Sequence, residues 1–138
     1  MIRTASSSDA ARIAELTRQL GYDVSAQEIA GRLRRRGERR EVFVAVCADL
    51  VIGWAAVCVD APFIEGFCAC IEGLVVDETA RSRGAGALLL SAAEAWARTR
   101  GCTAIRVGSN VVRERAHAFY HRRGYVTIKA QYQLRKTL

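Results

Sequence analysis

Proline is almost absent from this chain. Pro62 is the only one in 138 residues, and no tract is of low complexity. Hydrophobic residues make up 51% and charged residues 25%, the balance of an ordinary soluble globular protein. No apolar run reaches the ~18 residues that a membrane-crossing helix needs. The opening stretch, MIRTASSSDAARIAEL, lacks the charged start and apolar block of a signal peptide. A cytoplasmic protein with no membrane partner is therefore expected. Histidine is scarce as well. His117 and His121 lie far from the cysteines, and a zinc site would want clustered Cys or His, so no metal is expected.

Cysteine is present five times, as Cys47, Cys58, Cys68, Cys70 and Cys102. An odd number in apolar stretches fits free thiols that behave as small hydrophobes rather than a disulfide framework. The net charge is +7, which suits a nucleic acid or a polyanionic small molecule. The densest basic block is RLRRRGERR, Arg32 to Arg40. A single-strand binder would interleave aromatics with such charges, and none stands there. The block reads as a solvated helix end and loop, and a nucleic-acid partner is not expected.

A length of 138 residues suits a single domain, 1–138. MIRTA gives a first strand. SSSD offers a helix start, with Asp9 in the first turn. Ala10, Ile13, Leu16 and Leu20 then recur at helical spacing. After the break at GYD, Ser25 and Glu28 form a capping pattern for a second helix reaching about Arg36. The period then changes. Val42–Ala48 and Val51–Val59 read as two strands of a hairpin turned at Asp49. Cys68–Val76 is a third long strand with a bulge expected at Gly73. A helix follows from Ala85 to Arg100, closed by Gly101. AIRVG is a short strand. A last helix runs from about Arg113 to Gly124, and YVTIKAQYQLRK is expected to close the chain as one or two strands. The order β-α-α-β-β-β-α-β-α-β is a mixed α/β fold, a meander followed by strand-helix-strand crossovers.

Between the strand Cys68–Val76 and the helix at Ala85 lies R-x-x-G-x-G, formed by Arg81, Gly84 and Gly86. Glycines there let a ligand approach the backbone. The first free N–H groups of the helix point outward, and the dipole favours negative charge. No Gly-Lys-[Ser/Thr] follows, so this is not the nucleotide phosphate loop, and Leu89 stands where a dinucleotide fingerprint needs its third glycine. The pattern alone fits either a phosphate cradle or a tight turn.

The wider segment decides between them. IEGLVVDETARSRGAGALLLSAAEAWARTRGC followed by VGSNVVRERAHAFYHRRGY resembles the GNAT superfamily of acyl-CoA-dependent N-acetyltransferases. The resemblance implies a mostly antiparallel sheet that splays between its fourth and fifth strands to admit the pantetheine arm. It implies acetyl-CoA as the donor. Arg81, Ser82, Arg83, Gly84, Ala85, Gly86 and Ala87 would cradle the pyrophosphate, while Leu74, Val75 and Val76 would line the thioester arm and offer it a backbone N–H. Asn110, Ala116, Phe119, Tyr120, Gly124 and Tyr125 match the family's second motif. Ten residues separate Asn110 from Tyr120 here, against seven in many relatives. Asn110, Arg113, Ala116 and Phe119 would contact the cofactor. Tyr120 would protonate the leaving thiolate. Glu72, on the fourth strand, would receive the amine proton, polarise water or bind a cationic acceptor; read from the strand alone, it is equally a carboxylate facing solvent.

The acceptor is expected over the LGYDVS and APFIEG loops, lined by Tyr22, Asp23, Phe63 and Glu65. The implied function is direct acetyl transfer to a primary amine of a small-molecule or peptide acceptor. The alternatives are a non-catalytic acyl-CoA sensor, which would dispense with Tyr120, and a basic nucleic-acid binder. Relatives often pair through their C-terminal strands, so the resemblance also implies a homodimer.

Overall fold

The alternation of β-branched and small residues from Arg40 onward builds the centre of the protein. In the computed structural model, which describes residues 1–81, 83–108 and 114–138, strand β2 (Arg40–Cys47) turns at Ala48 and Asp49 into β3 (Leu50–Asp60). Both turn residues take positive φ, 49° and 62°, the two-residue hairpin form whose twist matches that of its strands. Strand β1 (Ile2–Thr4) adds to β2 on one side, and β4 (Cys68–Val76) adds to β3 on the other. All these pairings are antiparallel. Strand β5 (Ile105–Val107) joins β4 in parallel, which requires a crossover. Helix α3 (Ala85–Thr99) supplies it. The sheet order is β1-β2-β3-β4-β5, the mixed, mostly antiparallel arrangement expected.

Two helices precede the meander. A 3-10 turn at Ser7–Asp9 leads into α1 (Ala10–Arg18), and α2 (Ala26–Arg34) starts on Ser25, whose hydroxyl accepts from the Glu28 N–H at 3.1 Å. Helices α1 and α2 cover one sheet face, where Ile13, Leu16 and Leu33 bury Val42, Val44, Val51 and Val75. Helix α3 covers the other, where Ala85 and Leu89 pack on Ala45 and Ala55. Gly53 makes this second layer close. A methyl group there would stand 2.8 Å from the Val75 carbonyl oxygen and 3.2 Å from Leu89 Cδ1.

Residues 1–107 form one compact unit and residues 108–138 a second. The second contains α4 (Glu114–Arg122), ended at Gly124 with φ of 92°. The expected closing strand over Tyr125–Lys136 is not formed. That stretch carries neither helix nor strand. Its alternation specifies a face, but a strand also needs a partner for its backbone N–H and C=O groups, and no described strand pairs with it.

Candidate active site

The parting of β4 and β5 comes first in building the site. Their pairing runs Ala69 with Ile105, Cys70 with Arg106 and Ile71 with Val107, and stops there. Strand β4 continues to Val76. Its outer edge from Glu72 onward therefore has no strand partner among the described residues. Leu74, Val75 and Val76 lie on this free stretch.

The bulge sits at Glu72, one residue before Gly73. Ile71 faces Val57 and Gly73 faces Ala56, so Glu72 is the extra residue on β4. The bulge decides which β4 side chains share a face. Cys70 and Leu74 would share a face on a regular strand. The inserted residue instead sends Leu74 to the α3 side opposite Ala55 and leaves Cys70 in a row with Cys58 and Arg40. Glu72 turns to that row. Arg40 Nε donates to Glu72 Oε1 at 2.6 Å and Arg40 Nη2 to Oε2 at 3.0 Å. Arg40 was not among the site residues read from the sequence. The two are 32 residues apart, and no local spacing joins them.

Cys58 and Cys70 face each other across β3 and β4. Burial pushes the Cys58 thiol up to about 11, and the neighbouring Glu72 carboxylate pushes in the same direction. Burial raises Cys70 too, against the opposing pull of Arg106. Both shifts favour the thiol over the thiolate, and a thiol is a weak nucleophile. All five cysteines are free. Among the described residues, no group of three or more His, Cys, Asp or Glu could hold a metal ion.

At the end of β4 the chain enters the glycine turn. Asp77 caps a short 3-10 turn, Glu78–Ala80, by accepting from the Thr79 N–H at 3.0 Å. Arg12 anchors the same carboxylate from α1, and its Nε donates to the Val51 carbonyl at 2.8 Å. The Thr79 N–H and the Arg12 guanidinium hold the Asp77 carboxyl below its ordinary range. The turn thus leaves a fixed point. Gly84 follows as the N-cap of α3 with φ of 83°, and no side chain caps the helix. The first bond across the turn is Leu88 N–H to Gly84 C=O at 3.1 Å. The N–H groups of Ala85, Gly86 and Ala87 precede it and have no helical acceptor. A methyl group on Gly84 would meet nothing within 4 Å, so the space over the turn is open. Arg81 and Arg83 flank it, exposed. An uncapped helix start, a left-handed glycine and two arginines fit a pyrophosphate. Ser82, Asn110 and Arg113 lie outside the described residues.

A cleft of about 330 Å³ opens between the end of α1, α2 and β3, lined among others by Thr17, Tyr22, Asp23, Glu28 and Trp54. Tyr22 and Asp23 were expected there. Phe63 and Glu65 do not line it. Phe63 is fully exposed in the loop after β3, and Glu65 accepts from Arg106 Nη1 at 3.1 Å. Trp54 escaped the sequence reading, since a tryptophan on a strand reads as core. Its ring lies over Gly73 and so spans the distance from the cleft to the bulge.

The arginine block is partly consumed by the fold. Arg32 pairs with Glu28 at 3.6 Å, Arg36 with Glu41 at 2.9 Å and Arg40 with Glu72 at 2.6 Å. Half of its six arginines are thus committed within the protein. In the second unit, Tyr120 lies on α4 between two rings. Its centroid is 5.2 Å from Phe119 and 5.5 Å from Tyr125, both edge-on. Ala116 lies one turn earlier on the same helix.

A family model for the acetyltransferase (GNAT) family matches residues 10–125, and the chain belongs to that family. It is an acetyl-CoA-dependent acyltransferase by membership. Solved structures share the fold. The BH1408 protein from Bacillus halodurans superposes with a TM-score of 0.85 at 22% identity, over 99% of each chain. The aminoglycoside 6'-N-acetyltransferase AAC(6')-IG from Acinetobacter haemolyticus gives a TM-score of 0.85 at 18% identity, over 100% of this chain and 99% of that one. AAC(6')-Iy, solved with a bisubstrate analogue of coenzyme A and acetylneamine, gives 0.86 at 18% identity, over 100% and 98%. No curated protein sequence matches the chain.

Proposed function

We propose that this protein transfers the acetyl group of acetyl-CoA directly to a primary amine of a small-molecule acceptor. The observation that carries this reading is the cleft beside the bulge: about 330 Å³, with the carboxylate of Asp23, the rings of Tyr22 and Trp54, and room for a small molecule. No hydrogen bond or ion pair from the described residues engages Asp23, which suits it to a cationic amine. The aminoglycoside acetyltransferases that share the fold act on amines of this general kind.

Acetyl-CoA supplies the acetyl group as a thioester. On this reading the N–H groups of Ala85, Gly86 and Ala87, with Arg81, Ser82 and Arg83, hold its pyrophosphate. The free edge of β4 at Leu74 or Val75 donates an N–H to the carbonyl oxygen as charge develops there, and Val76 lines the arm. Asn110, Arg113, Ala116 and Phe119 are assigned to cofactor contact by the family motif. Glu72 meets the amine, and the Tyr120 hydroxyl donates a proton to the leaving sulfur. The upward shift of the Cys58 and Cys70 thiols supports direct transfer over an acyl-cysteine. Phe63 and Glu65 are assigned to the acceptor side by the loop expected to cover it; they lie outside the cleft, and Arg106 donates to Glu65 at 3.1 Å. Free cysteines support a cytoplasmic setting. Val126, Ile128, Tyr132 and Leu134, all exposed at even positions of 125–138, support a homodimer in which that segment gains a strand partner.

The test is calorimetric titration with acetyl-CoA, on wild type and on Gly86→Trp, followed by thiol release against a panel of amines. Binding to wild type, its loss in the variant and turnover of an amine are expected. Wild-type protein that does not bind acetyl-CoA would overturn the reading.

A further inference from the structure

The Arg40–Glu72 pair is built with more care than a surface ion pair requires. Glu72 is the inserted residue of the bulge, a device that re-aims a side chain. Arg40 begins β2, directly opposite Cys58, which in turn faces Cys70. The guanidinium therefore reaches across β3 to meet the carboxylate of β4. It does so with two parallel bonds, at 2.6 and 3.0 Å, the fork geometry that fixes direction as well as distance. Both partners remain partly exposed, at 45% and 34% of their side chains, and exposed pairs contribute little to stability. The arrangement orients a carboxylate more than it holds the sheet together.

The row extends further. Cys70 faces Arg106 on β5, and Arg106 is engaged by Asp60 and Glu65. The cation at that end is thus occupied by two carboxylates of its own. Around Glu72 stand Arg40 from β2, Cys58 and Asp60 from β3, Cys70 from β4 and Arg106 from β5. Of the two arginines only Arg40 contacts Glu72.

We infer that Arg40 is a positioning residue for acetyl transfer. It holds both oxygens of Glu72 so that the carboxylate is aimed to receive the proton the amine gives up as it is acetylated. This rests on the reading in which Glu72 serves the amine. It adds that the role depends on a residue two strands away. A lysine at 40 would keep the charge and lose the fork.

The test uses the full chain as wild type, Arg40→Gln, Arg40→Lys, Glu72→Gln and the double variant Arg40→Gln/Glu72→Gln. Acetyl-CoA binding by calorimetry comes first and is expected to be equal in all five. Steady-state thiol release is then measured with whichever of neamine, kanamycin, spermidine and tyramine wild type turns over fastest. Loss of a group aiding proton transfer costs on the order of a hundredfold in kcat, which is expected for Glu72→Gln. Arg40→Gln is expected to lower kcat about tenfold, with KM for the amine within about twofold, as for an interaction used only in the chemical step. Arg40→Lys is expected to stay within about threefold of Arg40→Gln, because charge without the fork does not orient. The double variant is expected to be no slower than Glu72→Gln, since a residue acting through Glu72 has nothing left to act through. Losses that multiply in the double variant, or wild-type kinetics in Arg40→Gln, would overturn the inference while leaving the acetyltransferase reading intact. Wild type that binds acetyl-CoA and acetylates none of the four amines would overturn amine transfer, and the role of Arg40 with it.

Discussion

The indole of Trp54 lies so close over Gly73 that a methyl group on residue 73 would stand 2.5 Å from Trp54 Cη2 and 2.8 Å from Cζ3. The two residues sit on adjacent strands, Gly73 opposite Ala56 and Trp54 two residues before Ala56, beside the bulged Glu72. Glycine at 73 is there for the ring, not for its backbone freedom. Gly73→Ala must push the indole out of its seat, and overpacking of this kind costs about 1–3 kcal/mol. The same ring lines the cleft, so KM for the acceptor should rise in parallel. Urea denaturation and amine titration check both, and a variant within ~0.5 kcal/mol of wild type, the range of an inconsequential surface change, would mean that the ring moves freely.

The hairpin between β2 and β3 turns on Ala48 and Asp49, both in the left-handed region. Aspartate tolerates that region, and alanine carries a penalty of about 1–2 kcal/mol there. Ala48→Gly removes the penalty and returns part of it as unfolded-chain entropy. A net gain of about 0.5–1 kcal/mol in thermal or chemical stability is expected, with no change in acetyl-CoA binding.

Asp9 is one of two polar or charged side chains buried among the described residues, at 6% exposure. Arg3 donates to both of its oxygens at 2.8 and 2.9 Å, and the Ser6 N–H donates at 2.9 Å. The Arg3 hydrogen bonds are the main cause holding its carboxyl below the ordinary range, against burial. A folded-state value below the unfolded one means that the stabilisation is full above the ordinary carboxylate value of about 4 and is lost as pH falls through the folded value. Asp9→Asn should therefore lower stability at pH 7 and flatten the acid limb of the stability curve. Unfolding curves between pH 7 and pH 2.5 check this; parallel curves for the two proteins would exclude the linkage.

Much of this was legible in the sequence, and the failures share a cause. The bounds of β4, Cys68–Val76, were read from the sequence as they stand in the fold, and α3 was read from Ala85 to its closing Gly101. The glycine turn was recognisable because its chemistry is local. Arg40 with Glu72, Arg12 with Asp77 and Trp54 over Gly73 were not, because each joins residues that only the fold brings together. Spacing placed Arg12 away from the apolar stripe of α1, yet its side chain reaches β3 and the end of β4. The segment 125–138 shows the converse. Its alternation is a strand pattern, and a strand pattern without a partner does not make a strand.

Gly84 offers the most direct test of the cradle. Its φ of 83° is reached freely by glycine and poorly by any β-branched residue. Open space beyond its Cα means that a larger side chain clashes with no neighbour, so Gly84→Val acts through the backbone and through the volume a ligand would use. Gly37 is a matched control. It has φ of 67°, open space around it, and a place in the connection from α2 to β2, away from α3. Gly37→Val should strain the chain comparably and leave acetyl-CoA binding within about twofold, whereas Gly84→Val should weaken it at least tenfold, about 1.4 kcal/mol. Calorimetric titration of both variants decides the matter. Equal losses would trace the effect to general destabilisation, and an unimpaired Gly84→Val would move the pyrophosphate away from the start of α3.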